Sequence, residues 1–184
     1  FGTNSEATVY FVSKQQDQTT SFSHTHLQYE IAQDARIKIF KLQDTAQNHF
    51  DFNEDRAQQA AKSHFEINTL TLDGSFVRND TMVAVQGEHA QTYLNGAYWL
   101  KEEQHVANYT TIDHQVANCE SFETYKGVAG DKATAVFNGK VFVRKDAQKI
   151  NSIKQICLSA AIFAHNTIHL TRKRKVCFFV IFEI

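Results

Sequence analysis

The sequence predicts an all-β chain built as a parallel β-solenoid, and three observations carry that prediction. First, a stretch of fourteen residues is written twice: Gly87–Leu100 (GEHAQTYLNGAYWL) aligns without a gap on Gly130–Val143 (GDKATAVFNGKVFV), at an offset of 43 residues. Self-similarity at a fixed offset marks stacked units, each too small to bury its own apolar face. Second, each copy sets an Asn-Gly pair (Asn95-Gly96 and Asn138-Gly139) between two apolar, aromatic-rich runs. Both residues tolerate positive φ, so the unit reads as strand, turn, strand. Third, Arg36–Leu42 (RIKIFKL) alternates basic and apolar residues, as a half-buried strand does.

Taken alone, the repeat also fits an ordinary antiparallel hairpin occurring twice. Two earlier segments favour the solenoid. Ser5–Val12 and Gln33–Leu42 share a polar, acidic, Ala opening before a strand-like run, with Ala7 and Ala35 28 residues apart. On this reading 43 residues make two coils, and Ala90/Ala133, Asn95/Asn138 and Gly96/Gly139 occupy equivalent positions in them. Asn53–Lys62 (NEDRAQQAAK) is rich in helix formers, with Asn and acids at its start, and reads as a short surface helix or loop. From there the chain is strand and turn. The expected strands are Phe65–Leu72, Asp80–Gln86, Ala90–Leu94, Ala97–Leu100, Val106–Ile112, Ala133–Phe137 and Lys140–Val143. The expected turns are at Asp73-Gly74, Gln86-Gly87, Asn95-Gly96, Lys126-Gly127, Gly130-Asp131 and Asn138-Gly139.

At 184 residues, 42% apolar and 12% aromatic, the chain is long enough for one well-filled core. A net charge of −1 gives no reason to expect nucleic acid or an anionic membrane as partner. No 18-residue apolar run and no leader-like start are present, and the chain opens at Phe1 without Met; a piece of a longer cytoplasmic protein is expected. Three cysteines at no metal-type spacing (Cys119, Cys157, Cys177) fit a reduced compartment. Residues 153–184 differ from the rest. They hold five bases and one acid, no Gly and no Asp, and end in the dense apolar run Val176–Phe182. Two regions are therefore expected: a core over 1–152 and a divergent, poorly ordered tail over 153–184 that leaves the coil register.

Candidate sites are sparse. His24 and His26 fall on one face of a strand, a spacing metals use, but a solvated strand face explains them better. His114, with Cys119 five residues on, is the best local pair of ligand types; a hydrogen-bonded turn is the plainer reading. Glu102-Glu103 and the Asp51/Glu54/Asp55 group evoke paired glycosidase carboxylates but read as surface charges. No nucleophile elbow, phosphate loop or dinucleotide fingerprint occurs, and no catalytic or cofactor-binding residue is assigned.

The runs Val77-Arg-Asn-Asp80, Gln86–Gly96, His105-Val-Ala-Asn108, Ile112-Asp-His114, Tyr125-Lys-Gly127 and Val136–Lys149 (VFNGKVFVRKDAQK) come in an order and spacing that resemble the SufD branch of the SufB/SufD family, over about residues 5–152. The resemblance implies a right-handed parallel β-helix. It implies a cytoplasmic, non-enzymatic scaffold of the Suf iron–sulfur cluster assembly complex, pairing with a SufB-like subunit through the β-helix. A SufC-like ATPase would dock only on the full-length protein, and a homodimer is left open. The complex handles an iron–sulfur cluster, whereas this fragment is expected to hold no cofactor. The family's Cys-x-His-Gly segment has no counterpart after Ser152, since Cys157 and Cys177 lack a His two residues on, so no metal ligand is carried over. The rival readings are a β-helical polysaccharide lyase or hydrolase and a purely structural β-solenoid module.

Overall fold

The computed structural model describes residues 1–15 and 19–147, and the strands at 153–163 and 177–183. One parallel sheet, sheet A, is formed by β1 (Glu6–Lys14), β3 (Arg36–Asp44), β5 (His64–Asp73), β7 (Gln91–Leu100), β9 (Cys119–Ala129) and β11 (Ile153–Phe163). The other, sheet B, is formed by β2 (Ser21–Ile31), β4 (His49–Gln59), β6 (Phe76–Val85), β8 (His105–His114), β10 (Thr134–Val143) and β12 (Cys177–Glu183). Successive strands alternate between the sheets, so the chain winds as a β-solenoid, as the sequence predicted. From β1 to β10, register offsets between stacked strands run from 26 residues (Phe50 beside Phe76) to 30 (Glu6 beside Arg36).

That pitch corrects the meaning of the repeat. An offset of 43 residues is about one and a half coils, so β7 and β10, which carry the two copies, lie in opposite sheets. The repeating unit is a half-coil. Asn95-Gly96 and Asn138-Gly139 lie inside β7 and β10 rather than at turns, and Lys126-Gly127 lies inside β9. The reason is visible at Gly96 and Gly127. Tyr125, the register partner of Gly96, lays its ring where a Cβ would sit, and Tyr98 does the same over its partner Gly127. These glycines are chosen for close approach of an aromatic ring across the ladder.

The turns themselves use another device. Asn4, Asp34, Lys62, His89 and Asn118, each just ahead of an odd strand, take positive φ (58°, 58°, 56°, 63° and 60°). A small residue follows each one: Ser5, Ala35, Ser63, Ala90 and Cys119. Their carbonyls carry the coil-to-coil ladder: Arg36 N donates to Ser5 O, His64 N to Ala35 O, Gln91 N to Ser63 O and Glu120 N to Ala90 O, at 2.8–3.0 Å. The expected turns at Asp73-Gly74, Gln86-Gly87 and Gly130-Asp131 fall between strands, with Gly74 at φ 130°.

Asn53–Lys62 is largely strand β4, not a helix or loop. Its helix-like composition arises because alternate residues enter a polar seam of the core. Asn53, Asn79 and Asn108 stack in register on sheet B, with Asn79 Nδ2 donating to Asn108 Oδ1 at 3.0 Å. Gln43 from sheet A closes on Asn79 through paired amide bonds and accepts from Thr71. One apolar cluster, around Ile37, Ile39, Phe65, Ile67, Val83 and Leu94, lies on one side of the seam. A smaller cluster, around Val77, Tyr98, Leu100 and Val106, lies on the other.

Strand pairing runs past the boundary expected at Ser152. β11 pairs with β9, setting Cys157 beside Phe122, and β12 pairs with β10, setting Phe179 beside Asn138. Backbone pairing needs only extended main chain, so the ladder continues into both strands, but at offsets of 35 residues (Cys157 beside Phe122) and 41 (Phe179 beside Asn138), wider than the coil spacing before them. Residues 148–152, 164–176 and 184, with most of the basic cluster and the expected poor order, lie outside the described residues.

Two stability tests follow. Gly96→Val is expected to cost about 1–3 kcal/mol in urea denaturation, because the Tyr125 ring must leave its place. Gly130→Ala, whose new Cβ would meet only Leu100 O at 3.5 Å, is expected to be near neutral. Equal losses at the two positions would contradict the ring-over-glycine packing.

Candidate functional site

The candidates read from the sequence separate cleanly in space. His24 and His26 point outward from β2, as expected of a solvated face, and His26 Nδ1 meets Glu54 Oε2 at 3.0 Å. Glu102 and Glu103 are exposed turn residues, Glu103 pairing with Lys132 at 2.8 Å. The Asp51/Glu54/Asp55 group does not stay on the surface: Glu54 remains partly exposed beside Arg56, but Asp51 and Asp55 are buried. Strand alternation forces this, since 51 and 55 share the inward face of β4 and 54 takes the outward one.

Asp55 is held by Lys41 Nζ at 2.6 Å, reaching across from sheet A, and by the Tyr29 hydroxyl at 2.9 Å. Burial, together with the Asp55 charge, pushes the Tyr29 phenol well above its ordinary range. This is a cross-sheet staple, closed on itself and without access for a substrate.

Asp51 ends a hydrogen-bond chain. Gln15 Nε2 donates to Ser21 Oγ (2.6 Å), and Ser21 Oγ contacts His49 Nδ1 (2.9 Å). His49 Nε2 contacts Ser23 Oγ (2.8 Å), and Ser23 Oγ donates to Asp51 Oδ1 (2.7 Å). With the Ser23 proton on Asp51, the imidazole must donate to Ser23 through Nε2 and accept from Ser21 at Nδ1. A hydrolytic triad sets its carboxylate directly on the imidazole, whereas here Ser23 stands between His49 and Asp51, so these residues do not form that arrangement.

His114 and Cys119 are both fully buried at one corner of the coil. Cys119 fills the small-residue stack above Ala90, and its thiol lies 3.3–3.4 Å from the Ala117 and Gly87 carbonyls. Burial raises its pKa, so it is held as the thiol, a poor metal ligand. His114 Nε2 meets Ser121 Oγ at 3.0 Å, and burial lowers the imidazole pKa to about 4 despite Asp113 alongside. Among the described residues no three His, Cys, Asp or Glu side chains gather as a metal site.

The feature that sequence reasoning missed is the outer face of sheet A. Tyr10, Val12 and Trp99 are 70%, 62% and 62% exposed, and Leu70 and Leu72 are also open to solvent. Tyr10 stacks on Phe40 with ring centroids 5.2 Å apart. Tyr10, Val12, Phe40, Leu42, Leu70 and Ala97 line a groove of ≈ 580 Å³ in which no carboxylate or imidazole takes part. Contiguous exposed apolar surface of this kind marks a contact face. In the sequence it is hidden within alternating runs, where outward residues are expected to be polar.

Two parallel sheets joined coil by coil around a filled interior place the chain in the class of β-solenoid proteins. Residues 1–157 match the family model "SUF system FeS cluster assembly, SufBD core domain", and the chain belongs to that family. A curated relative is the iron–sulfur cluster assembly protein SufD of Escherichia coli (strain K12), 26% identical over 148 residues. The match covers 78% of this chain and 34% of the relative, so the chain spans about a third of that protein's length. Among the described residues no helix is long and apolar enough to cross a membrane.

The His114 corner sets a pH dependence. Its folded pKa lies below the ordinary 6.5, so the unfolded chain binds the extra proton between pH 6.5 and 4, and stability falls as pH drops through that window. His114→Gln is expected to lose most of the difference in melting temperature between pH 6.5 and 4.5 that His114 contributes to the parent. Unchanged acid sensitivity in the variant would show that His114 is not buried neutral. The Asp55 staple is tested separately: Asp55→Ala leaves Lys41 unpaired and is expected to cost about 3–5 kcal/mol, whereas the double change Lys41→Met/Asp55→Leu is expected to recover most of it.

Proposed function

We propose that this chain is the β-solenoid core of a non-catalytic scaffold subunit for iron–sulfur cluster assembly, pairing with a SufB-like subunit through the solenoid. The observation that carries the reading is the match to the SufBD core over residues 1–157, joined to an apolar, solvent-facing sheet A. The relative's name supplies the process, and the exposed face supplies a means of association. A SufC-like ATPase is reached only through parts of the longer protein, and the work is done in the cytoplasm. The iron–sulfur cluster is cargo of the assembled complex, with no ligand assigned to it here. The groove on sheet A gives the polysaccharide-cleaving alternative no support, because its lining offers no carboxylate or imidazole.

The test is co-purification of the chain with a SufB-like subunit. The double variant Tyr10→Glu/Trp99→Glu places two charges on the exposed apolar face and is expected to reduce capture by at least about tenfold. Gln28→Glu, on the exposed face of sheet B, is expected to leave capture unchanged. Undiminished capture by the double variant would move the interface elsewhere. Direct capture of a SufC-like ATPase without the SufB-like subunit would contradict the partner assignment.

A further inference from the structure

Among the described residues the interior holds a fully buried acid with no cation beside it. Glu123 points inward from β9 and is 1% exposed. It crosses to sheet B, where its Oε2 lies 3.0 Å from the place a Cβ on Gly139 would occupy, so the glycine gives the carboxyl its room. Neither carboxyl oxygen has a hydrogen-bond partner among the described residues, and the same holds for Thr110 Oγ1 in the opposite sheet. Gly139 and Thr110 are register partners on β10 and β8, so they form one wall of the space that the carboxyl enters.

The groups around Glu123 are few. On its own strand stand Ser121 and Tyr125, and Tyr125 also feels Asp55, which Lys41 and Tyr29 already hold. β7 sets Leu94 in register with it, β8 supplies Thr110, β10 supplies Gly139, and β11 sets Leu158 in register. No cation among these reaches Glu123. Lys41, the buried cation nearby in the same interior, is spent on Asp55. A carboxylate in such surroundings has lost its hydration without gaining an ion pair, and only the Thr110 hydroxyl stands near as a weak donor.

We propose that Glu123 is a buried proton-binding site, filled in the closed solenoid, and that loss of its proton loosens the packing of β9 against β8 and β10. Burial raises the pKa of the group to about 7, with the Thr110 hydroxyl acting weakly in the opposite sense. The folded chain therefore holds a proton that the unfolded chain releases near 4.5, and stability falls as pH rises from that value through about 7. β9 and β10 are also the strands on which β11 and β12 pair, so the site sits beneath the last coil. Ionisation there weakens the platform for that coil and leaves the sheet A groove, built mainly on β1, β3, β5 and β7, in place. The inference is independent of the partner reading above.

The experiment is hydrogen exchange of the full chain, followed by mass spectrometry, at pH 6 and pH 8.5 after correction for intrinsic exchange. Parent protein is expected to lose about tenfold or more of its protection in β8–β10 at the higher pH, with β3–β5 far less affected. Glu123→Gln, which keeps the shape without the charge, is expected to hold its protection at both values. Carboxyl carbon NMR provides a second readout, with one Glu titrating near neutrality in the parent and absent in the variant. A Glu123 midpoint in the ordinary carboxyl range would overturn the proposal. So would equal pH sensitivity in parent and Glu123→Gln.

Discussion

Everything in this molecule depends on the parallel backbone ladder that fixes each coil one strand spacing, about 4.8 Å, above the last. Because strands of like kind stack in register, each position of a coil lies on its counterpart in the next. The ladder therefore turns a one-dimensional sequence into columns. A left-handed turn residue sits on a left-handed turn residue, a small buried residue on a small buried residue, an asparagine on an asparagine. Substitutions at Gly96 or Gly127 are costly for the same reason: the neighbour that a side chain would meet is dictated by the register.

The interior departs from the usual apolar filling. Polar columns lie between two apolar bands, and they survive because most of their members find partners in adjacent coils or across the sheets. The Lys41–Asp55–Tyr29 staple and the Gln43–Asn79 pair both join sheet A to sheet B. Such pairs add little net stability compared with well-packed apolar residues, but breaking one leaves an unpaired buried group. They fix which residue of one sheet faces which residue of the other. Among the described residues Glu123 is the buried acid with neither carboxyl oxygen hydrogen-bonded, and its cost is met by holding a proton.

The fold class is legible because alternation survives in most strands: Arg36–Leu42, Phe65–Leu72 and Val106–Ile112 all fall inside the strands they predict. The turn chemistry is not. Asn-Gly is a hairpin signal in sequence, yet in β7 and β10 it marks ring packing and strand interior, while the working turns lie at Asp34-Ala35, Lys62-Ser63 and His89-Ala90. The opening shared by Ser5–Val12 and Gln33–Leu42 is this same turn, visible in sequence without its meaning. Asn53–Lys62 fails as a helix because its polar residues face inward, which a single sequence does not distinguish from outward. The outward placement of His24 and His26 is legible because exposure needs no partner. His114, Asp51 and Glu123 depend on what the opposite sheet places against them, and no local pattern carries that.

The chain belongs to the SufBD core family, and the register decides which surfaces it presents. The central claim is therefore the coil register, and a disulfide scan tests it most directly. Lys38 and Glu66 are partners 28 residues apart on the outer face of sheet A. Cysteines placed at both are within the reach of a disulfide and are expected to cross-link rapidly under mild oxidation, as seen in the peptide map. Cysteines at Asn95 and Asn138, 43 residues apart but in opposite sheets, are expected to stay unlinked within one chain. Efficient intramolecular linking of the second pair, with none in the first, would contradict the half-coil register and the architecture built on it.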